Sequence, residues 1–258
     1  SDLTPGLDGS SPLVGADHVL GISPASTSLA QLTVRDQVGS ALDLGAGCGV
    51  QALHLARHSD RVVATDVNRR ALWMTDFNLR LNDLARGVEV REGSFFEPVR
   101  GERFDLLVTN PPFVISPGTG ERLVYRDSGL PGDRVVEDIV RGAPDHLTEG
   151  GWCQVLANWV ITDGQPWEDR LGRWVSPDCD AFVVQREVLD PAAYVELWLK
   201  DAGQHGAADY LVRYDTWLSW LEQQRVAGIG FGWINLRRRA SAAGGAGTST
   251  FLEWPYEV

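Results

Sequence analysis

The sequence contains three cysteines, one methionine and a single lysine among its 258 residues. Cys48, Cys153 and Cys179 lie far apart without metal-ligand spacing, which argues against a disulfide framework or a metal site and for a reducing cytoplasm. No apolar run reaches the ~18 residues of a membrane span. The N-terminal residues do not show the basic start and apolar core of a signal peptide. We therefore expect a cytoplasmic protein that binds neither a membrane nor a metal.

The charge balance is strongly acidic, with a formal net charge of −12. This disfavours binding to long phosphate backbones, although it leaves room for a local basic patch. The contents of 43% hydrophobic and 22% charged residues are typical of a globular protein. The length fits one large domain, or one domain with an appendage. The chain starts at Ser1 without methionine, which is compatible with a trimmed piece of a longer protein.

Strand-like and helix-like segments alternate over the first two thirds of the chain. The patterns predict strands at 41–44, 61–65, 88–92, 104–109 and 152–159, and helices at 26–38, 50–57, 69–82 and 133–147. Such alternation predicts an α/β fold with a doubly wound, mostly parallel sheet. Ligands of such sheets bind outside the carboxyl ends of the strands.

The last third has a different texture, and the sequence predicts an elaborated C-terminal part. Strands are predicted at 182–188, 229–236 and 251–256, and helices at 191–202 and 209–225. We divide the chain into three parts. They are an N-terminal segment and helix at 1–40, a ligand-binding core at 41–160, and a part at 161–258 that completes the sheet and could hold substrate-recognition elements.

A glycine-rich turn follows the first predicted strand. Its G-x-G-x-G pattern is formed by Gly45, Gly47 and Gly49. Glycines let a ligand approach the backbone closely. A dinucleotide fingerprint would have glycine or alanine at Val50. Asp43 suits a cationic ligand better than a pyrophosphate, and Asp66 at the end of the next strand is placed to bind a ribose diol. The alternative is a tight turn with solvated acids.

These residues resemble the motifs of class I S-adenosylmethionine-dependent methyltransferases. Residues 43–49 resemble the first motif, and Asp66 matches the acid that binds the ribose. Residues 92–98 resemble the adenine loop, with Ser94 in place of its usual aspartate. Either Phe95 or Phe96 could pack on the adenine, or both could pack in the core. The resemblance implies a Rossmann-like sheet whose last strands run antiparallel, and S-adenosylmethionine as cofactor.

The tetrapeptide Asn110-Pro111-Pro112-Phe113 follows the fourth predicted strand. A planar NH2 group needs two acceptors to fix it. The side-chain oxygen of Asn110 and the carbonyl of Pro111 could provide them, on a backbone that the two prolines stiffen. Phe113 could stack on the flat face of an amide or a base. A plain turn is the alternative.

The tetrapeptide resembles the N-P-P-[FYW] motif of methyltransferases that modify exocyclic or amide nitrogens, and two branches compete. In release-factor glutamine methyltransferases a threonine near the cofactor corresponds to Thr27. In ribosomal-RNA guanine methyltransferases of the small methyltransferase domain type, the fifth strand resembles residues 150–158. The acidic balance and Thr27 favour a protein glutamine as the methylated group, whereas the fifth strand favours RNA.

The resemblance covers about residues 20–160 and implies both sets of site residues. The catalytic residues are Asn110, Pro111, Pro112 and Phe113. The cofactor-binding residues are Thr27, Asp43, Gly45, Gly47, Gly49, Asp66, Val67, Ser94, Phe95 and Asn110. The substrate would be a macromolecule, either protein or RNA. The alternative outside the enzymes is a non-catalytic module that binds a cofactor or a partner. Such a module would have no use for the pair of acceptors that Asn110 and Pro111 offer to an NH2 group.

Three further features have two interpretations each. His54 and His58, one helical turn apart, are a conceivable metal pair without a third ligand. Residues 125–130 form either a lid over the target group or a solvated loop. Trp159 either packs in the core or stacks on substrate. About 40 residues precede the glycine turn, fewer than the N-terminal substrate domain of the glutamine enzymes needs. Substrate selection is therefore expected in the C-terminal third or in a missing segment.

Overall fold

The computed structural model describes residues 1–2, 15–118, 124–204, 207–241 and 244–254. Within them one mixed sheet is flanked by helices. Its strands are β1 (Val38–Leu44), β2 (Ser59–Asp66), β3 (Val88–Glu92), β4 (Phe104–Thr109), β5 (Leu147–Thr162), β6 (Cys179–Leu189), β7 (Val226–Arg238) and β8 (Ser249–Glu253). The helices are α1 (Pro24–Leu32), α2 (Val50–Leu55), α3 (Arg69–Leu81), α4 (Arg134–Gly142), α5 (Trp167–Gly172), α6 (Pro191–Asp201) and α7 (Tyr210–Gln223). None of these helices is long and apolar enough to cross a membrane.

The strands are ordered β3-β2-β1-β4-β5-β7-β6-β8. The first five are parallel, and the order reverses between β1 and β4. This arrangement confirms the predicted doubly wound, mostly parallel α/β fold and places the topological switch point beside the glycine turn.

The expectation that the last strands run antiparallel is correct for β7 and wrong for β6 and β8. β7 lies between β5 and β6 and is antiparallel to both, so β6 runs in the same direction as the first five strands. β8 follows β7 and returns along the outer edge of β6, with which it pairs in parallel. The last two residues of the predicted strand 251–256 lie outside the described residues.

The first helix begins earlier and ends earlier than the predicted 26–38. Ser23 is its N-cap and forms a capping box with Ser26, whose backbone N–H donates to Ser23 Oγ at 3.1 Å. Pro24 occupies the first turn, where its missing N–H costs nothing. The helix stops at Leu32 because Thr33 is extended, and the chain enters β1 at Val38.

The predicted helix 133–147 is also shorter. α4 ends at Gly142, and a 3-10 turn at Ala143–His146 leads into β5. β5 begins at Leu147 rather than at residue 152, because a register shift in its pairing with β4 accommodates the first residues of the strand. Helix α5 has no counterpart among the predicted elements.

Trp159 lies in the core, so its proposed role in stacking on substrate is wrong. It is fully buried, stacks on Trp167 with ring centroids 5.6 Å apart, and donates from Nε1 to Gln185 Oε1 at 3.1 Å. Glycines on the adjacent β7 make room for the indole. A Cβ on Gly230 would lie 2.4 Å from Trp159 Nε1, and one on Gly232 would lie 2.8 Å from the ring.

We expect Gly232→Ala to destabilise the fold. The added Cβ would lie 1.8 Å from the Val184 carbonyl oxygen as well as against Trp159, so strands β6 and β7 would have to separate locally. Overpacking of this kind costs roughly 1–3 kcal/mol of unfolding free energy, or more. Urea denaturation measures the loss. Gly244→Ala, whose Cβ meets nothing within 4 Å, is the control. Equal stability of the two variants would contradict the packing described for Trp159.

Candidate active site

The pairing register brings four predicted motifs into one row at the carboxyl edge of the sheet. Leu44 at the end of β1 pairs with Thr65 of β2 and with Thr109 of β4. Asp66 pairs with Glu92 of β3. The residues that follow these strand ends are therefore neighbours. They surround a cavity that runs from the loop at residues 92–98, past Asp66 and the glycine turn, to Asn110.

The three glycines of the turn divide into two roles. Gly45 and Gly47 line the cavity with φ of +77° and +57°, and a Cβ on either would meet nothing within 4 Å. The backbone is thus bare on the side that a ligand would approach. Gly49, with φ of +85°, is the N-cap of α2. A Cβ at this position would lie 3.0 Å from the Thr75 side chain on α3. Gly49 therefore fits helix α2 against α3 and does not line the cavity.

Asp43 is a buried carboxylate beneath the glycine turn. Its side chain is 1% exposed, and Oδ2 accepts a 2.8 Å hydrogen bond from the Ala52 N–H in the first turn of α2. Burial raises the pKa of Asp43 to about 7, and the nearby charge of Asp66 adds to the rise, although the Ala52 hydrogen bond opposes it. A ligand cation in this cavity would favour the ionised form.

Asp66 lies at the end of β2 and faces the cavity. Its Oδ2 accepts from the Gly47 N–H at 2.9 Å, and its Oδ1 accepts from the Asn68 N–H at 2.8 Å. Burial raises the pKa of Asp66, while these backbone hydrogen bonds hold it down. A carboxylate has about four lone-pair sites, so both oxygens retain capacity for a diol. Val67 lines the same wall and is 46% exposed.

The loop at residues 92–98, which resembles the adenine loop, places one of its two phenylalanines at the cavity. Ser94 and Phe95 line it, and the Gly93 N–H is anchored to the Asp66 carbonyl at 3.0 Å. Phe96 turns away and stacks on His146, with ring centroids 4.4 Å apart and planes 4° from parallel. The structure thus brings Phe95, and not Phe96, to the side of the cavity expected for the adenine.

The tetrapeptide after β4 contributes three of its four residues to the cavity. Asn110, Pro111 and Pro112 line it, and the Oδ1 atom of Asn110 is buried without a hydrogen-bond partner. Such an acceptor is costly unless a ligand satisfies it. Phe113 does not line the cavity. Its ring contacts Trp198 edge-on at 6.2 Å, so the expected stacking on substrate has no support in this geometry.

Thr27 lies outside the cavity, contrary to its expected role near the cofactor. Its side chain is exposed, and its hydroxyl donates to the Ser23 carbonyl at 3.0 Å. Ser23 and Ser26 line the cavity instead. One residue along an α-helix turns the side chain by about 100°, so a loose motif match that is displaced by one position points to another face.

Two segments beyond the predicted site residues also line the cavity. Residues 18–21 close one side, where the Asp2 N–H donates to the Val19 carbonyl at 3.0 Å. Tyr125 belongs to the segment with two interpretations, and it lies at the cavity with its hydroxyl 3.2 Å from Asp201 Oδ2. Burial raises the pKa of Tyr125 to about 12. Main-chain pairing and long-range contacts of this kind leave no local sequence pattern.

The histidine pair His54 and His58 gains no third metal ligand among the residues that the structure describes. Within the described ranges, no group of three or more His, Cys, Asp or Glu side chains could hold a metal ion.

The model of the methyltransferase small domain family matches residues 21–174, which is more than half of the chain. The chain belongs to this family. The match confirms the resemblance drawn from the glycine turn and the tetrapeptide. It makes this part of the chain a methyltransferase domain whose cofactor is S-adenosylmethionine.

Relatives of this methyltransferase domain fall into both branches. The chain is 36% identical over 129 residues to a release factor glutamine methyltransferase of Xylella fastidiosa, covering 45% of this chain and 46% of the relative. It is 35% identical over 134 residues to a ribosomal protein uL3 glutamine methyltransferase of Bradyrhizobium diazoefficiens, covering 47% and 42%. It is 32% identical over 154 residues to a ribosomal RNA small subunit methyltransferase C of Klebsiella pneumoniae, covering 58% and 41%. The chain thus spans less than half the length of these curated relatives.

Solved structures share the fold at low identity. The YcgJ protein from Bacillus subtilis superposes with a TM-score of 0.53 at 12% identity, covering 84% of this chain and 99% of that chain. A putative sarcosine dimethylglycine methyltransferase from Galdieria sulphuraria superposes with a TM-score of 0.51 at 17% identity, covering 87% and 93%. These likenesses support the Rossmann-like fold and nothing finer.

The lining of the cavity fits S-adenosylmethionine. S-adenosylmethionine is a sulfonium cation without phosphate, and the described lining residues include the carboxylates of Asp43 and Asp66 but no lysine or arginine. Asp66 would hold the ribose diol, Gly45 and Gly47 would let the cofactor approach the backbone, and Phe95 would contact the adenine. Ser94, in place of the usual aspartate, is present at the same wall.

We expect Asp66→Ala to weaken S-adenosylmethionine binding by roughly 1.5–3 kcal/mol, because the diol loses a charged acceptor. Isothermal titration calorimetry measures the affinity, with thermal melting to verify the fold. Asp76→Ala, which removes an exposed carboxylate on α3 that pairs with Arg80, is the control. Unchanged affinity in Asp66→Ala would remove Asp66 from the cofactor site.

We expect the stability of the free protein to fall as pH rises from about 4 to 7, relative to Asp43→Asn. The folded protein retains the Asp43 proton up to a pKa of about 7, whereas the unfolded chain loses it near its ordinary value. Each pH unit between the two values then lowers the unfolding free energy by up to about 1.4 kcal/mol. The variant does not titrate at this position. Urea denaturation between pH 5 and pH 8 tests this, and parallel curves for the two proteins would contradict the raised pKa.

Proposed function

We propose that the chain transfers a methyl group from S-adenosylmethionine to the amide nitrogen of a protein glutamine side chain. The observation that carries this proposal is Asn110 Oδ1, a buried acceptor without a partner at the cavity. The register places it one residue beyond the Leu44–Thr109 pair, directly beside the glycine turn of the cofactor site. A group held at Asn110 is therefore next to the cofactor.

The proposed clamp holds both hydrogens of the NH2 group. Asn110 Oδ1 accepts one and the Pro111 carbonyl accepts the other, so the nitrogen lone pair is directed at the methyl group. S-adenosylmethionine supplies the electrophilic methyl group and leaves as S-adenosylhomocysteine. The nitrogen gains the methyl group and then loses one proton. This route needs no strong base, which agrees with Tyr125, whose raised pKa of about 12 keeps it protonated at neutral pH.

The two sequence features that separated protein from RNA do not reach the cavity. Thr27, which favoured the glutamine branch, is exposed on α1. Asn158, in the fifth strand that favoured RNA, is 1% exposed and donates from Nδ2 to the Tyr194 hydroxyl at 3.3 Å. The choice of substrate therefore rests on electrostatics rather than on either motif.

Electrostatics favours a protein substrate. The net charge is −12, and the described lining of the cavity contains no lysine or arginine. Arg126, which follows the lining residue Tyr125 in the chain, is 3.4 Å from Asp201 Oδ2 and donates to the Trp198 carbonyl. Such a surface repels a phosphate backbone. The relatives named as glutamine methyltransferases support the same choice.

An RNA base amine is the second candidate. It is favoured by the match to ribosomal RNA small subunit methyltransferase C, which extends over 58% of this chain, against 45% and 47% for the glutamine enzymes. In either case we propose a macromolecular substrate and a cytoplasmic location. The rival of a non-catalytic module leaves the unpartnered Asn110 Oδ1 without a use.

We expect Asn110→Ala to lower methyl transfer by on the order of a hundredfold or more. S-adenosylmethionine affinity should stay within a few-fold, because the lost contact acts mainly in the transition state. The assay is tritiated-methyl transfer into cell extract, with ribonuclease or protease added to identify the methylated material. Asn82→Ala, at the exposed end of α3, is the control. Normal methylation by Asn110→Ala would refute the clamp, and its unfolding would make Asn110 a structural turn residue.

A further inference from the structure

Helices α6 and α7 form a hairpin inserted between β6 and β7, and both helices hold the chain that follows the tetrapeptide. The Ile115 N–H donates to the Tyr194 hydroxyl on α6 at 2.8 Å. The Trp217 indole N–H on α7 donates to the Ile115 carbonyl at 3.0 Å. Both polar groups of one peptide residue are thus held by side chains from the hairpin, two residues beyond Phe113.

A second set of contacts joins the hairpin to the wall of the cavity. The hydroxyl of Tyr125, which lines the cavity, lies 3.2 Å from Asp201 Oδ2 at the end of α6. Arg126 Nη1 donates to the Trp198 carbonyl at 2.6 Å, and its guanidinium lies 5.7 Å from the Trp198 ring. The hairpin therefore has a fixed position relative to Asn110. A molecule bound to the hairpin would be held on an element that directly contacts the segment following the clamp.

The hairpin carries exposed apolar side chains and an excess of acidic residues. Leu197, Leu211 and Val212 are 44%, 69% and 67% exposed. Over residues 190–225 the sequence has six acidic and three basic residues. The acidic ones are Asp190, Glu196, Asp201, Asp209, Asp215 and Glu222, and the basic ones are Lys200, Arg213 and Arg225. Arg213 pairs with Asp209 at 2.6 Å, and Asp201 lies 3.4 Å from Arg126. The acidic residues outside these two pairs are Asp190, Glu196, Asp215 and Glu222.

We infer that the exposed side of the α6–α7 hairpin docks a basic polypeptide segment with apolar side chains. This segment belongs to the protein whose glutamine is methylated. The inference rests on the proposed function and adds the class of polypeptide and the surface that binds it. Charge complementarity decides the occupant. Cationic side chains of the segment would pair with the acidic residues of the hairpin, and its apolar side chains would cover the exposed leucine and valine side chains, whereas a phosphate backbone would be repelled.

A binding experiment tests the surface separately from catalysis. The probe is a fluorescein-labelled 12-residue peptide of lysine and leucine with one central glutamine. Its counterparts are the same peptide with glutamate for lysine, and a 12-nucleotide RNA. Fluorescence anisotropy should show binding of the basic peptide, and binding at least tenfold weaker for the other two. The double variant Leu211→Ser/Val212→Ser should bind the basic peptide at least tenfold more weakly than the wild type.

The matched control is Phe77→Ser/Leu81→Ser. These side chains are 51% and 70% exposed on α3, which packs on β2 and β3 at the other end of the sheet. This variant should bind the basic peptide within twofold of the wild type. Equal losses in the two double variants, or no binding of the basic peptide by the wild type, would overturn the inference. A purely electrostatic attraction of the basic peptide would not depend on Leu211 and Val212. Binding by the hairpin variant as tight as that by the wild type would therefore show that charge alone attracts the peptide, and would overturn the inference.

Methylation of extract separates the two proposals. The hairpin variant should transfer tritiated methyl groups to ribonuclease-treated protein at least tenfold more slowly at low extract concentration and approach the wild-type rate at high concentration. Its S-adenosylmethionine affinity and melting temperature should be unchanged. Wild-type rates in the variant would refute the docking surface alone. Labelling by the wild type that ribonuclease removes would refute the protein substrate, and the docking inference with it.

Discussion

The pairing of Leu44 with both Thr65 and Thr109 is the constraint on which the site depends. Because β1 lies between β2 and β4, this single register aligns the ends of three strands. A shift of one residue in β1 would reverse the faces of its side chains and separate the glycine turn from Asp66 and from Asn110. The Thr109 hydroxyl reinforces the alignment by donating to the Leu44 carbonyl at 2.7 Å. The core of the sheet thus fixes the distance between the glycine turn and Asn110.

The parts of the site that sequence reasoning predicted are those set by local backbone chemistry. Glycines at Gly45 and Gly47 mark positive φ, and Asp66 ends an alternating strand pattern, so their places follow from neighbouring residues. Asn110 was predicted for the same reason, since two prolines end β4 immediately after it. These residues act close to the strand ends on which they lie, and the fold class follows from the same alternation of strands and helices.

The parts that sequence reasoning missed depend on packing over long distances. Thr27 and Phe113 have the right residue types, but helix phase turns one outward and Trp198 holds the other. The direction of β8 follows from the insertion of β7 between β5 and β6, which no local pattern predicts. Trp159 looked available at a strand end, yet the glycines opposite it on β7 leave a space that only the folded sheet reveals. Residues 18–21 are held at the cavity by long-range contacts, such as those of Val19 with Asp2, which leave no local sequence pattern.

The free acceptor on Asn110 also bears on how many times the proposed reaction can occur at one nitrogen. Two acceptors match the two hydrogens of a primary amide. The monomethylated product has only one N–H, so one acceptor again lacks a partner, at a cost of about 1–3 kcal/mol for a buried group. The methyl group would also occupy the space of the missing hydrogen. For the proposed reaction, the clamp therefore binds the primary amide more tightly than the monomethylated product. The product is released readily, and each glutamine receives one methyl group.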